Sequence, residues 1–441
     1  MAIVLAADIL DSAIEKVRAK VQELFETTDT VAGMIKKGGE VEIISQKLYR
    51  IPLVQYAGGT YGYYDADGGD MGSGTGLKVI KVQAGFFDTR YTVEVSKRAM
   101  DTTATAAQAT INAFAYNFKR AMKEVQVYDD ITFHTDGTGK LTNSASATST
   151  WSSGTKTTLT FAGASDTVGA DRLRPGMVVD VYDTTGASKR AGGPYVIDHI
   201  DYKNKVVYFG AAVTAVAGTD LIAFNGLSAT LASFQSTWPL SGDSARHGLY
   251  YANDDTTSNY FLGQLKSSAT ELLANSVDAS SSGLSFAHGQ QLLDQIIKRR
   301  DESAFKGLIG LAHMAQRAAV QNIGIAISNW FRQPGQKTLD LMPVNNEYSS
   351  DFEFCGVSCR VDKRQDKARF DFIIPKLWGR AQLHDTKFHD VQGRTVFESR
   401  VQATANLKAA VHYHIVQCYD FYTVDPGAQG YIKSLSVPSG Y

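Results

Sequence analysis

The sequence predicts an α+β protein in which helices and strand-rich stretches follow one another in blocks. The chain has 441 residues, of which 44% are hydrophobic and 20% are charged. This balance is typical of a folded chain and excludes a disordered one. Apolar stripes at helical spacing are separated by short alternating runs, and no regular strand–helix–strand order is present. A doubly wound nucleotide-binding fold is therefore not expected.

The charge balance excludes several classes of protein. Lys and Arg total 44 against 45 Asp and Glu, so the formal net charge is −1, whereas nucleic-acid-binding modules carry a strong cationic excess. No apolar run approaches the roughly 18 residues that a membrane span needs. We expect no membrane partner.

The cysteine count and the N-terminus bear on where the protein is made. The first residues do not resemble a secretory signal. Three cysteines, Cys355, Cys359 and Cys418, are too few for a disulfide scaffold. We expect reduced thiols in a protein made in the cytoplasm.

Residues 1–40 contain an amphipathic helix over 8–27. Its apolar positions recur at spacings of three and four, at Leu10, Ile14, Val17, Val21 and Leu24. The stripe predicts either a helix docked on its own domain or an arm that packs on a neighbouring subunit, and the pattern alone leaves both open.

Residues 41–95 predict a long β-hairpin with arms at 41–56 and 77–95. The tip between them, 58–76, holds eight glycines and three tyrosines, Tyr61, Tyr63 and Tyr64. It is far longer than the two to five residues that a hairpin loop needs. Its glycine spacing does not match a phosphate-binding loop. Tyrosines of this kind bury well in interfaces, so we expect the tip to contact another chain.

The remainder of the chain alternates between helical and strand-rich texture. A helix over 97–128 with Ser96 as its cap would be about 45 Å long. Residues 150–226 predict an inserted small β domain, with strands at 177–182, 195–201, 205–209 and 221–224. Helices are expected over 258–331: one over 258–273, one capped by Ser285, and one from about His313 to Trp330. Strands are expected over 338–374 and 395–424.

Motifs that would carry catalysis are missing. Neither a Gly-x-Ser-x-Gly elbow nor a His-Glu-x-x-His metal motif is present. His412 and His414 share one face of a predicted strand and could bind a metal, as could Cys355 and Cys359, but a half-buried polar ladder and plain thiols are the simpler interpretations. We expect no catalytic, cofactor-binding or metal-binding residue and no enzyme activity. The competing hypothesis is a β-rich hydrolase that uses the histidine pair.

Two stretches that flank the long helix carry a resemblance to a known family. Residues 87–96 (FDTRYTVEVS) lead into the helix, and residues 133–139 (FHTDGTG) follow it. In this order the chain resembles the major capsid proteins of tailed bacteriophages, which have the Johnson fold first seen in a Hong Kong lambdoid phage. The resemblance is specific at 86–140, weaker at 378–424, and architectural elsewhere.

The resemblance implies a Johnson-type capsid fold with an inserted domain. It divides the chain into an N-terminal arm (1–40), an extended β-hairpin loop (41–95), a spine helix with the start of the peripheral domain (96–149), an inserted β domain (150–226), an axial domain (227–340), and return strands through the peripheral and axial domains with a C-terminal tail (341–441).

The same resemblance implies a structural protein that self-assembles into pentamers and hexamers of an icosahedral shell around double-stranded DNA. It implies weak, non-specific contact with that DNA, a separate scaffold, a portal, a cement protein as a further option, no cofactor, and a place in the virion capsid after assembly in the host cytoplasm. The alternative within this fold is a cellular nanocompartment shell.

Members of this family contact one another through the arm and the extended loop. The inter-subunit contacts expected here are Leu10, Ile14, Val17, Tyr49, Arg50, Gly58, Gly59, Tyr61, Tyr63, Tyr64, Gly72 and Gly74. A Lys–Asn cross-link of the kind some members form would involve Lys78 or Lys81, but no partner residue can be assigned.

Overall fold

A computed structural model of the chain describes most of residues 31–438. The described residues are 31–35, 37–38, 41–56, 58–59, 61, 74–96, 107–142, 150–152, 157–161, 167–183, 185–213, 220–231, 245–300, 306–330, 351–390, 396–400 and 407–438. The helix predicted over 8–27 lies outside these residues, as does most of the loop tip over 58–76.

The described chain contains helices and strands in mixed order, as expected for an α+β protein. The helices are α1 (Val31–Met34), α2 (Ala107–Phe133), α3 (Leu249–Ala252), α4 (Phe286–Arg300) and α5 (Met314–Trp330). The strands are β1 (Glu42–Ser45), β2 (Leu48–Tyr56), β3 (Lys78–Gly85), β4 (Phe87–Ser96), β5 (Thr150–Ser152), β6 (Thr158–Thr160), β7 (Val178–Tyr182), β8 (Tyr195–Asp201), β9 (Val206–Phe209), β10 (Leu221–Phe224), β11 (Tyr260–Phe261), β12 (Gln264–Leu265), β13 (Asn275–Asp278), β14 (Ile309–Ala312), β15 (Asp351–Phe354), β16 (Val357–Val361), β17 (Phe370–Ile373), β18 (Trp378–Phe388), β19 (Val396–Arg400), β20 (Leu407–Thr423) and β21 (Gly430–Lys433).

The chain divides into two units. The first unit comprises residues 1–38, 86–133 and 380–421, and the second comprises residues 39–85, 134–379 and 422–441. Each unit is built from segments that are distant in sequence, so neither is a continuous stretch of chain. None of the described helices is long and apolar enough to cross a membrane.

The first unit is a sheet with one long helix packed on it. Strand β20 is the centre, with β4 on one side and β18 and β19 on the other. Helix α2 has 27 residues and is therefore about 40 Å long. Phe133 near its end meets Phe421 of β20 edge to face at 5.3 Å. Gln417 donates from Nε2 to the Asp129 carboxylate at 2.9 Å, so residues 417 and 421 of β20 share the face that contacts the helix.

The second unit is organised around a six-stranded mixed sheet in the order β13-β21-β17-β14-β16-β15. Its β13–β21 and β14–β16 pairs are parallel, and the neighbouring pairs are antiparallel. Helix α4 supplies an apolar stripe in which Leu292 and Ile296 are buried against Phe354, Phe370 and Phe372. The His288 amide faces the Ser285 hydroxyl at 3.4 Å, as the predicted helix cap requires.

A polar cluster is buried in the second unit. The carboxylate of Asp371 is fully buried and accepts two hydrogen bonds from Arg369, each at 2.8 Å. The Arg369 guanidinium lies between the rings of Tyr250 (4.3 Å) and Tyr431 (3.7 Å). Burial opposes the charge on Arg369, but the Asp371 carboxylate outweighs burial and raises the pKa of the guanidinium. Asn253 also donates to Asp371 at 3.0 Å, so the buried charge is compensated by close partners.

Residues 150–224 hold an antiparallel sheet in the order β10-β7-β8-β9-β6-β5. The strands predicted at 195–201 and 221–224 match β8 and β10, and those at 177–182 and 205–209 match β7 and β9 to within one residue. Its interior is apolar, with Val179, Val181, Ile197, Val207 and Phe209 all fully buried. The alternation of β8 and β9 and the short apolar runs of β7 and β10 account for the accuracy of the prediction.

Three predicted elements differ from the structure. The arm predicted over 77–95 is two strands, because β3 pairs with β2 whereas β4 pairs with β20. Alternation identifies a strand but not its partner. The helix predicted over 258–273 is instead the short β11–β12 pair followed by 3₁₀ turns, since Leu262 and Gly263 have positive φ angles that break a helix. The helix predicted over 97–128 continues to Phe133, and residues 97–106 lie outside the described chain.

Candidate assembly surface

The hairpin of β1, β2 and β3 is anchored to the second unit at its proximal end. Tyr49, Ile51, Val82 and Ala84 are fully buried there. The Tyr49 ring lies 6.4 Å from that of Tyr422. The proximal half of the hairpin is thus fixed by packing within its own chain.

Hydrogen bonds to neighbouring segments add to this anchor. The amide of Gln83 donates to the Leu262 carbonyl at 2.9 Å. The side-chain amide of Gln55 donates to Glu271 at 3.0 Å. Gln83 lies in the proximal half of the hairpin, whereas Gln55 lies beside Val54, so the distal end is also held at one point by the rest of the second unit.

The distal end of the same hairpin exposes large apolar side chains. Val54 is 64% exposed and its cross-strand partner Val79 is 40% exposed. Leu77 (60%) is exposed at the same end, whereas Ile43 (50%) and Ile44 (42%) are exposed on β1, beside the proximal end of β2, where Ile43 pairs with Tyr49. Large side chains of this kind in one continuous element are uncommon on a protein that has no partner there, and they mark a surface that another chain can cover.

The loop that joins β2 to β3 is closed at its base by a short backbone bridge. The amide of Gly59 donates to the Thr75 carbonyl at 2.7 Å, and the Thr75 hydroxyl donates to the Gly59 carbonyl at 3.0 Å. Gly58 has φ +74°, and a Cβ there would lie 2.6 Å from the carbonyl carbon of Gly76. Glycine is therefore required at this position by both the backbone angle and the close approach.

The residues expected to contact neighbours fall into three groups. Leu10, Ile14, Val17, Tyr63, Tyr64 and Gly72 lie outside the described residues. Gly58, Gly59, Gly74 and Tyr61 belong to the loop, and Tyr61 is 90% exposed. Arg50 is half-buried beside Glu42 at 4.0 Å, whereas the side chain of Tyr49 is fully buried within its own chain and offers no surface to a neighbour.

Sequence reasoning missed part of this surface. It assigned the contacts to the N-terminal arm, to Tyr49 and Arg50, and to the glycines and tyrosines of the tip. The exposed apolar set also includes Ile43, Val54 and Val79 on the strands. Strand alternation could have identified them only with knowledge of which end of the hairpin is anchored. That information depends on the contact with Leu262, which is distant in sequence.

The two cysteines and two histidines that the sequence offered as metal ligands are each partly or fully buried beside other side chains. Burial raises the pKa of Cys355 to about 11 and raises that of Cys359 further, so both thiols stay protonated near neutral pH. His412 and His414 have ring centroids 4.8 Å apart, and Phe397 lies beside both. Burial lowers the pKa of His414, and the nearby His412, Arg90 and His389 lower it further.

Comparison with known proteins gives similarity in structure only. No known family profile and no curated protein matches the sequence. Among solved structures, the chain is similar to the cyanophage A-1(L) capsid asymmetric unit (TM-score 0.46, 8% identity, 91% of this chain and 93% of that chain). It is also similar to the capsid of an empty GTA particle (TM-score 0.44, 7% identity, 92% and 89%). A third is the holo-SrpI encapsulin complex from Synechococcus elongatus (TM-score 0.38, 9% identity, 89% and 83%).

These similarities span nearly the whole chain. They do not decide between a phage capsid and an encapsulin, because both kinds of shell are among the matches and the three TM-scores are below 0.5. We therefore rest the functional assignment on the hairpin itself.

Proposed function

We propose that the protein is a structural shell subunit, the major capsid protein of a tailed phage, which self-assembles into pentamers and hexamers of an icosahedral shell. The observation that carries the proposal is the hairpin, whose proximal half is anchored in its own chain and whose distal half exposes apolar side chains. A shell subunit acts through interfaces with several neighbours, and each stable interface must remove a large area from water. The distal end of the hairpin supplies part of such an area.

In this proposal the parts of the chain take the roles that the resemblance implies. Helix α2 is the spine helix, β1–β3 form the extended loop, and the sheet of β5–β10 is the inserted domain. The peripheral and axial domains are formed by the remaining segments. The contacts to neighbouring subunits are made by Arg50, Gly58, Gly59, Tyr61 and Gly74, together with Val54, Val79 and the predicted residues beyond the described chain. Tyr49 is left out because its side chain is buried.

The net charge of the chain bears on its contact with DNA, and the protein partners are those that the resemblance implies. A net charge of −1 suits a wall that holds DNA without binding it tightly, because strong DNA binding depends on many cationic contacts to phosphate. We therefore propose only weak, sequence-independent contact with packaged double-stranded DNA. A separate scaffold, a portal and a cement protein are part of the proposal, as is assembly in the host cytoplasm.

The role of the loop is tested by shortening it. Residues 60–74 are replaced by an Asn-Gly turn, which joins Gly59 to Thr75 in a short hairpin. We expect a folded subunit with an unchanged melting midpoint that no longer forms stable shells when examined by negative-stain microscopy. A matched control replaces the turn residues 203–204, between β8 and β9, by Asn-Gly and should leave assembly intact. Shells of normal yield and stability from the shortened loop would refute its role.

A further inference from the structure

Three side chains with metal-binding atoms meet in the first unit. One carboxylate oxygen of Asp88, one ring nitrogen of His384 and the Sγ of Cys418 all lie within 4.8 Å of one another. Among the described residues, these three form the one group of His, Cys, Asp or Glu side chains whose ligand atoms are close enough to hold a metal ion. Cys418 is 2% exposed and forms no disulfide, while Asp88 is exposed and His384 is partly so.

The three side chains come from three strands of one sheet. Asp88 of β4 is the direct cross-strand partner of Cys418 of β20, so the two side chains leave the same face. His384 belongs to β18, which lies beside β20 on its other side. Gln417, the neighbour of Cys418, faces helix α2, so Cys418 points to the opposite face of the sheet. Backbone hydrogen bonds of the sheet thus hold the three donors in fixed register.

The combination of donors selects a particular class of metal. A thiolate, an imidazole and a carboxylate are the ligands of tetrahedral Zn²⁺, whereas Mg²⁺ and Ca²⁺ require oxygen ligands only. Donors of a tetrahedral zinc site lie roughly 3.4–3.6 Å apart for its usual bond lengths. Separations of up to 4.8 Å need side-chain rotations that move the donors by about 1 Å, with no change in the sheet.

A backbone contact of His384 bears on which of its ring nitrogens is available to a metal. The Nδ1 atom of His384 lies 3.2 Å from the carbonyl oxygen of Asp385. A carbonyl only accepts, so in the neutral ring this contact places the proton on Nδ1 and leaves the lone pair on Nε2. Histidine ligands of metals are commonly oriented in this way by a backbone carbonyl.

We propose that Asp88, His384 and Cys418 form a Zn²⁺ site that fastens β4 and β18 to β20. Water would be the fourth ligand of the tetrahedral ion, because Asp88 is exposed and solvent can reach the group from that side. Binding releases the thiol proton of Cys418, and the ion adds a cross-link to a sheet that otherwise relies on its hydrogen bonds. The site is independent of the proposed assembly function.

The first test is a titration of the reduced, full-length protein with Co²⁺ as a spectroscopic substitute for Zn²⁺. We expect one equivalent to give thiolate-to-cobalt charge transfer in the near ultraviolet and the strong visible bands of tetrahedral cobalt, both removed by Zn²⁺. The Cys418→Ser variant should lose the charge-transfer band. The matched controls are Cys355→Ser and Cys359→Ser, which change thiols of the second unit and should leave it in place.

The second test uses variants whose side chains are not fully buried, so that misfolding does not confuse the result. Asp88→Asn and His384→Gln should each weaken Zn²⁺ binding at least about 10-fold, measured by competition with a chelating dye, while the melting midpoint without metal stays unchanged. One equivalent of Zn²⁺ should raise the midpoint of the native protein and not that of the variants. Weak or non-stoichiometric binding, or binding unaffected by the three substitutions at this group, would overturn the proposal.

Discussion

The exposed valine pair of the hairpin gives the sharpest test of the assembly surface. Full burial of a valine or leucine side chain contributes about 1.5–3 kcal/mol. Val54 is still 64% exposed in the subunit and Val79 is 40% exposed. If a neighbour covers both, their burial contributes roughly 2–3 kcal/mol for each subunit added to a shell. The double variant Val54→Ser, Val79→Ser removes most of this contribution.

The measurement is the subunit concentration above which shells form, followed by light scattering. At about 1.4 kcal/mol for each factor of ten, we expect this concentration to rise roughly 30- to 100-fold. The free energy of unfolding of the isolated subunit should fall by about 1–3 kcal/mol, because the substitutions also remove the part of each side chain that is already buried within the subunit.

A matched pair of valines provides the control. Val178 and Val196 are also cross-strand partners, with exposures of 40% and 48%, but they lie in the sheet of β5–β10. The variant Val178→Ser, Val196→Ser loses the same atoms from a different surface and should leave the assembly concentration unchanged. An unchanged concentration in the hairpin variant, or equal shifts in the two variants, would refute the assignment of the hairpin as the assembly surface.

Three further outcomes are expected from the second unit. Asp371→Ala leaves the charge of Arg369 buried without its carboxylate partner. The free energy of unfolding, measured in urea, should fall by about 3–5 kcal/mol, and a loss below about 1 kcal/mol would contradict the buried ion pair. Burial lowers the pKa of His134 to about 3 from 6.5, so the folded state loses up to about 1.4 kcal/mol per pH unit as the pH falls below 6.5, and His134→Gln should flatten this dependence in urea titrations. Gly58→Ala should strain the loop base by about 1–3 kcal/mol and impair assembly, whereas Gly76→Ala, where a Cβ meets nothing within 4 Å, should not; equal behaviour of the two would contradict the close approach.

The elements that the sequence predicted well are those whose pattern is local. Strands β8 and β10 were predicted to the residue: buried and exposed positions alternate along the first half of β8, and β10 is a short apolar run bounded by polar residues and a glycine turn. Helix α5, predicted over 313–330, begins one residue later, at Met314. In such elements the period of the apolar residues and the flanking turns are both set within about ten residues, and no distant contact is needed to identify them.

The features that escaped prediction depend on distant pairings. The 77–95 arm divides because β4 finds its partner in β20, more than three hundred residues later. The group of Asp88, His384 and Cys418 depends on the same pairing and has no motif with regular spacing. The buried ion pair of Arg369 and Asp371 likewise involves Asn253, whose position is set by the fold of the second unit. Contacts between residues so far apart in the sequence leave no local pattern from which they could be predicted.

The central claim is that this chain builds closed shells through its own interfaces. The direct measurement is negative-stain microscopy of the purified full-length protein across a range of concentration and ionic strength, combined with sedimentation. We predict uniform hollow polyhedral particles with fivefold vertices. When the particles form in cells that package DNA, nucleic acid inside them indicates a capsid, and protein inside them indicates a cellular compartment. Small discrete particles of constant mass under every condition would contradict the account.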